Sequence, residues 1–147
     1  MKYILVLGTL ISSCSSQSKD SSSEYHRNDT IQRIDMFLDA FGVEADFPLI
    51  KATIDFEKDS IKCYKWYYNP DLGDSTYTLT ISEQKRILEL LNKTKLEDLK
   101  PKFSVDIVDQ PRSTTTIITT SDKFEFDDYG LEGDYPLKEL YKIVYKY

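Results

Sequence analysis

The spacing of hydrophobic positions changes several times along this chain. Ile31, Ile34, Phe37, Leu38 and Phe41 share one stripe of a 3.6-residue repeat. Asn28-Asp29-Thr30 stand ahead of them as capping residues, with Gln32 three after Asp29 in capping-box spacing. With Gly42 as the C-cap, the pattern predicts an amphipathic helix over 30–41 that packs on the rest of the domain. The period then drops to two. Ile50, Ala52, Ile54 and Phe56 alternate with Lys51, Thr53, Asp55 and Glu57, Lys58-Asp59-Ser60 supplies a turn, and the run 61–68 alternates again. These two strands read as a hairpin. The second puts Tyr64, Trp66 and Tyr68 on one face and Ile61, Cys63, Lys65 and Tyr67 on the other.

A loop over 69–74 leads to a further alternation of Tyr77, Leu79 and Ile81, after which Ser82 is placed to cap a helix carrying Ile87, Leu88, Leu90 and Leu91, with Glu83 in its first turn. Leu96, Leu99, Phe103, Val105, Ile107 and Val108 form a less regular segment that crosses the domain and ends at Pro111. The run 113–120 is β-branched almost throughout and predicts a strand, turned by Ser121-Asp122 into 123–127, where Phe124 and Phe126 share a face. Pro136 fits the first position of a last helix, with Leu137, Leu140, Tyr141 and Val144 on its apolar stripe. Hairpins with helices between them predict an α+β domain over 29–147. Its sheet is mostly antiparallel, and about three helices cover one face.

The N-terminus is of another kind. Met1-Lys2 is followed by an apolar run from Tyr3 to Ile11, broken only by Gly8 and Thr9, and then by Ser12-Ser13-Cys14. That run is far short of the roughly 20 residues a spanning helix needs, which favours a signal peptide over 1–13. Ile11-Ser12-Ser13-Cys14 resembles the lipobox of bacterial lipoproteins. The resemblance implies diacylglycerol on the Cys14 thiol, cleavage after Ser13 and acylation of the new α-amine. Such a residue meets the requirement for more than one acyl chain in stable anchoring. With Ser15 after the lipid-bearing Cys, the resemblance implies the outer membrane, with the inward or outward face left open. The Ser-rich stretch after Cys14 has nothing to bury, so 14–28 reads as a flexible tether holding the domain about 2 nm from the bilayer. Tyr77-Thr78-Leu79-Thr80-Ile81-Ser82, the Thr-rich run 113–120, Phe124-Glu125-Phe126-Asp127-Asp128-Tyr129-Gly130 and the terminal Leu-rich helix are similar to an uncharacterised lipoprotein domain family of Bacteroidota. That likeness covers about 50–147 and implies no activity.

Charge and side-chain inventory narrow the function. With 25 acidic against 19 basic residues the formal charge is −6, which lacks the basic footprint of a nucleic-acid binder. Cys63 has no intramolecular partner once Cys14 is lipidated, and reads as a small buried hydrophobe. The only histidine, His26, falls in the tether, and no phosphate-cradling glycine motif occurs, so neither a His-based triad nor a zinc site nor nucleotide chemistry is supported. Asp127, Asp128, Glu132 and Asp134 crowd one short Gly-containing stretch. They are the candidate ligands for calcium, without EF-hand spacing, and otherwise a solvated acidic loop. No other cofactor is indicated. Tyr64, Trp66 and Tyr68 are either the core side of a strand or a ligand platform of flat rings with polar tips. Tyr135, Tyr145 and Tyr147 are expected to be partly exposed. These features predict a non-catalytic, membrane-anchored envelope protein that serves as a protein-binding or accessory module. The alternative is a glycan or small-ligand binder using Tyr64, Trp66 and Tyr68.

Overall fold

The computed structural model describes residues 25–39 and 46–146. The leader, Cys14 and the expected tether up to residue 24 lie outside the described residues, as do Phe41, Gly42 and Tyr147. Seven strands form one sheet: β1 (Ile31–Asp39), β2 (Leu49–Asp55), β3 (Ser60–Trp66), β4 (Ser75–Tyr77), β5 (Lys102–Ser104), β6 (Arg112–Thr119) and β7 (Lys123–Tyr129). Their order is β4-β3-β2-β1-β6-β7-β5, antiparallel throughout except for the parallel pair β5 and β7. Among the described residues two α-helices, α1 (Ile81–Asn92) and α2 (Leu137–Tyr145), complete an α+β fold with one helix fewer than expected.

The missing helix is the central strand. Residues 31–39 are β1, bonded to β2 on one side and β6 on the other. Against β6 the register slips between Ile31 and Arg33, an extra residue in β1 that marks a β-bulge. The bulge brings Ile31 and Ile34, three apart, to the same buried side and so counterfeits helical spacing. From Ile34 onward the period is two, with Ile34, Met36 and Leu38 buried and Asp35 and Phe37 on the opposite face. Pairing along both edges engages the N–H and C=O groups that β1 directs to either side. Local capping signals at 28–32 cannot match that.

One face of the sheet makes the core. Ile34, Met36 and Leu38 stand beside Ile54, Ala52 and Ile50 of β2, and Ala52 faces Cys63 of β3 across the next pair. On the other side Ile34 and Met36 meet Ile117 and Thr115 of β6. The helices lay Ile87, Leu90 and Leu91 of α1 and Leu137, Leu140, Tyr141 and Val144 of α2 onto this face. They run antiparallel, as the ion pairs Glu83 with Lys146 and Arg86 with Glu139 require. Helix α1 is capped by Thr80 rather than Ser82. Its hydroxyl accepts from the Glu83 amide at 3.2 Å while the Glu83 carboxylate accepts from the Thr80 amide at 2.7 Å. That reciprocal box takes Ile81 into the first turn, exposed, and ends β4 at Tyr77. In α2, Pro136 is the N-cap and Leu137 the first helical residue, one place later than expected.

One further expectation is corrected. Tyr145 is buried, its ring stacked on Tyr141 at 5.7 Å and its hydroxyl 2.7 Å from that of Ser113. Arg27, ahead of the expected domain start, also makes contacts with the domain. The Arg27 amide donates to the Asn92 carbonyl, and its side chain, only 4% exposed, pairs with Asp29 at 2.8 Å, reaches the Thr94 carbonyl at 3.3 Å and lies over the Phe124 ring. Both margins of the sheet, β4 and β5, are three residues long.

Candidate functional site: the face of the sheet without helices

Strand alternation assigns every outward side chain, since neighbours in a strand point to opposite faces and register aligns them across strands. With Cys63 inward and buried, Tyr64 and Trp66 point away from the helices. Tyr64 is 41% exposed and Tyr68, past the end of β3, is 56% exposed. The ring platform is therefore on the open side of the molecule rather than in the core. Tyr64 and Trp66 stack at 5.2 Å between centroids, and Trp66 stacks on Phe37 of β1 at 5.9 Å. The Tyr64 hydroxyl donates to Asp74, which fixes the outermost ring and pushes its phenol above the ordinary range.

Register builds a row through these residues. Tyr64 faces Lys51 on β2, Lys51 faces Phe37 on β1, and Phe37 faces Thr114 on β6. Alongside runs a second row of Lys62, Thr53, Asp35 and Thr116. The rows border a shallow trough of about 530 Å³ whose walls include Arg33, Phe37, Lys51, Thr53, Thr114 and Thr116. Asp35 is already engaged. Arg33 grips it with two bonds at 2.8 and 2.9 Å, and the Thr53 hydroxyl donates to it at 2.9 Å. Lys51 and Lys62 are exposed and form no ion pair among the described residues.

The acidic residues at 127–134 do not converge. Asp127 points outward to Arg112, whose guanidinium holds its carboxyl below the usual range, while Asp128, next along the strand, points into the core and is fully buried. Asp128 accepts from the amides of Glu132 at 3.0 Å and Gly133 at 2.7 Å and from the Tyr141 hydroxyl at 2.9 Å. Glu132 pairs with Lys138, and Asp134 is exposed, its carbonyl accepting from the Leu137 amide. Among the described residues no three His, Cys, Asp or Glu side chains are grouped to hold a metal ion. Cys63 is buried, and burial pushes its thiol up to about 11. His26 is exposed ahead of β1.

Sequence reasoning named Tyr64, Trp66 and Tyr68; the structure brings Tyr64 and Trp66 together with Phe37, Lys51 and Lys62, which that reasoning did not name as site residues, and leaves Tyr68 past the strand end. The outward position of Lys51 was legible from its alternation with Ile50 and Ala52. Its neighbours were not, because they come from strands whose order in the sheet the chain does not spell out. No protein-family model matches this chain, and no curated protein or solved structure matches it.

Proposed function

We propose that this chain is a lipid-anchored envelope protein, held in the outer membrane through acylated Cys14, whose domain is a non-catalytic binding module. Its ligand surface is the helix-free face of the sheet. The observation that carries the reading is the placement of Phe37, Tyr64 and Trp66, three rings in stacking contact on the open face, where a core role does not account for them. Aromatic groups with polar tips contribute large contact area with few rotors to immobilise, which is why they concentrate binding energy. The lipobox resemblance at Ile11-Ser12-Ser13-Cys14 supports the anchor.

A protein partner is the second reading, favoured by the tip of the loop between β5 and β6, where Ile107 is 61% and Val108 79% exposed. To test the first, the full-length chain in detergent is immobilised and offered polysaccharide and protein fractions of the envelope. Tyr64→Ala should lower the captured amount at least about fivefold while the domain stays folded at the assay temperature. Equal capture by wild type and Tyr64→Ala rejects the helix-free face, and loss on Val108→Ser alone moves the site to the loop.

A further inference from the structure

We infer that the helix-free face takes a carboxylate-bearing saccharide, a polyuronate chain laid across the strands from Tyr64 toward Thr114. The inference rests on this face being the ligand surface and names what binds there. Charge is the first argument. The chain carries a net −6, yet of the acids bordering this face Asp35 pairs with Arg33, Asp127 with Arg112 and Glu125 with Lys123, and Asp74 accepts from the Tyr64 hydroxyl. Lys51 and Lys62 are left over, and Lys51 stands between Tyr64 and Phe37 in the cross-strand row. Two unanswered ammonium groups on an otherwise acidic protein complement carboxylates.

The remaining chemistry of the trough fits a sugar. Thr114 and Thr116 present hydroxyls, each one donor and two acceptors, and Thr53, whose donor goes to Asp35, adds acceptor lone pairs, an inventory that suits a hydroxyl-rich ligand. Tyr64, outermost of the three rings, offers an exposed aromatic surface for the apolar side of a pyranose. From β3 to β6 there are three interstrand gaps, a span of about 14 Å that accommodates roughly three sugar units. A polypeptide ligand of the strand-adding kind would use a sheet margin instead, and both margins here are three-residue strands.

The test measures binding of full-length chain in detergent to three polymers: polygalacturonate, its fully methyl-esterified form, and polyglutamate, which carries the same carboxylates on a peptide backbone. Fluorescence of Trp66, the only tryptophan, and calorimetry report binding. Polygalacturonate should bind, weaken with added salt, and lose about tenfold in affinity in Lys51→Gln, Lys62→Gln and Tyr64→Ala, with thermal unfolding of the two lysine variants matching wild type and Tyr64→Ala still folded at the assay temperature. Absence of polygalacturonate binding overturns the inference. Binding of the ester as tightly as the acid, with loss in Tyr64→Ala, keeps the face but removes the carboxylate preference. Polyglutamate binding as tightly as polygalacturonate replaces the saccharide with an acidic polypeptide. Polygalacturonate binding that is untouched by all three substitutions rejects the face itself.

Discussion

Tyr141 donates its hydroxyl to Asp128 at 2.9 Å inside the core, and Asp128 is fully buried without an ion-pair partner among the described residues. Three donors take the place of a cation: this phenol and the backbone amides of Glu132 and Gly133. The carboxylate thereby ties the end of β7 to the loop that launches α2. Removing the phenol in Tyr141→Phe should cost about 1–2 kcal/mol, and removing the acceptor in Asp128→Ala, which strands all three donors, about 3–5 kcal/mol. Gly133→Ala should also destabilise, since a Cβ there would sit 2.6 Å from the Asp128 carboxylate. Urea unfolding ranks the three, and an Asp128→Ala midpoint equal to wild type would remove the carboxylate's role as a tie.

Arg27 and Asp29 predict a response to acid. The Arg27 guanidinium, with the Ser121 hydroxyl donating at 3.0 Å, holds the Asp29 carboxyl at about 2, against an ordinary 3.8. A folded-state value below the unfolded one adds stability at pH above 3.8, and this stability is lost as pH falls through about 2. Asp29→Asn should therefore unfold at nearly the same urea concentration across pH 2–5 as far as this site is concerned, while wild type loses its advantage over the variant toward pH 2. Parallel acid profiles for the two proteins would show that the pair contributes nothing.

Which parts of this architecture could be read from the chain depends on what hid the signal. Strands β2, β3, β6 and β7 and helices α1 and α2 carry clean periods, and their structure follows them within a few residues. Strand β1 misled because its bulge puts Ile31 and Ile34 on the same side, so that three positions look like part of a helical turn. The alternation of Ile34, Met36 and Leu38 was present but outweighed by the capping residues before it. For the candidate site, period two separated Tyr64 and Trp66 from Cys63 correctly. What it could not decide is which set faces the helices, because both faces of β3 carry bulky side chains. Phe37 joins the site only through the neighbour order of the sheet, which is a long-range property.

Burial of Cys63 predicts a slow thiol. With its pKa pushed up to about 11 from 9.0 by desolvation, the thiolate at pH 8 is about a hundredfold scarcer than for an ordinary cysteine. In a Cys14→Ser background, iodoacetamide should label native protein at least that much more slowly than protein in urea. Equal rates would place the thiol in contact with solvent, and with it the inner face of β3.

The anchor is tested at Cys14 itself. Wild type expressed with its leader should fractionate with membranes and take up labelled palmitate, and Cys14→Ser should lose the label and move to the soluble fraction. An unlabelled wild type, or a Cys14→Ser protein that stays with membranes as wild type does, rejects lipidation as the mode of attachment.

The two brief margins of the sheet matter most for a molecule confined to a leaflet. Neighbours tethered in a plane meet repeatedly, at high local density and in similar orientation, which is the situation in which a long bare strand would zip one sheet onto the next. Had the sheet stopped at β3 or β7, seven residues of unpaired backbone would have faced each passing copy. With β4 and β5 in place, only three residues line each side, Lys102 among them, so under the proposed anchor adjacent copies would crowd a membrane patch without knitting into a shared ribbon.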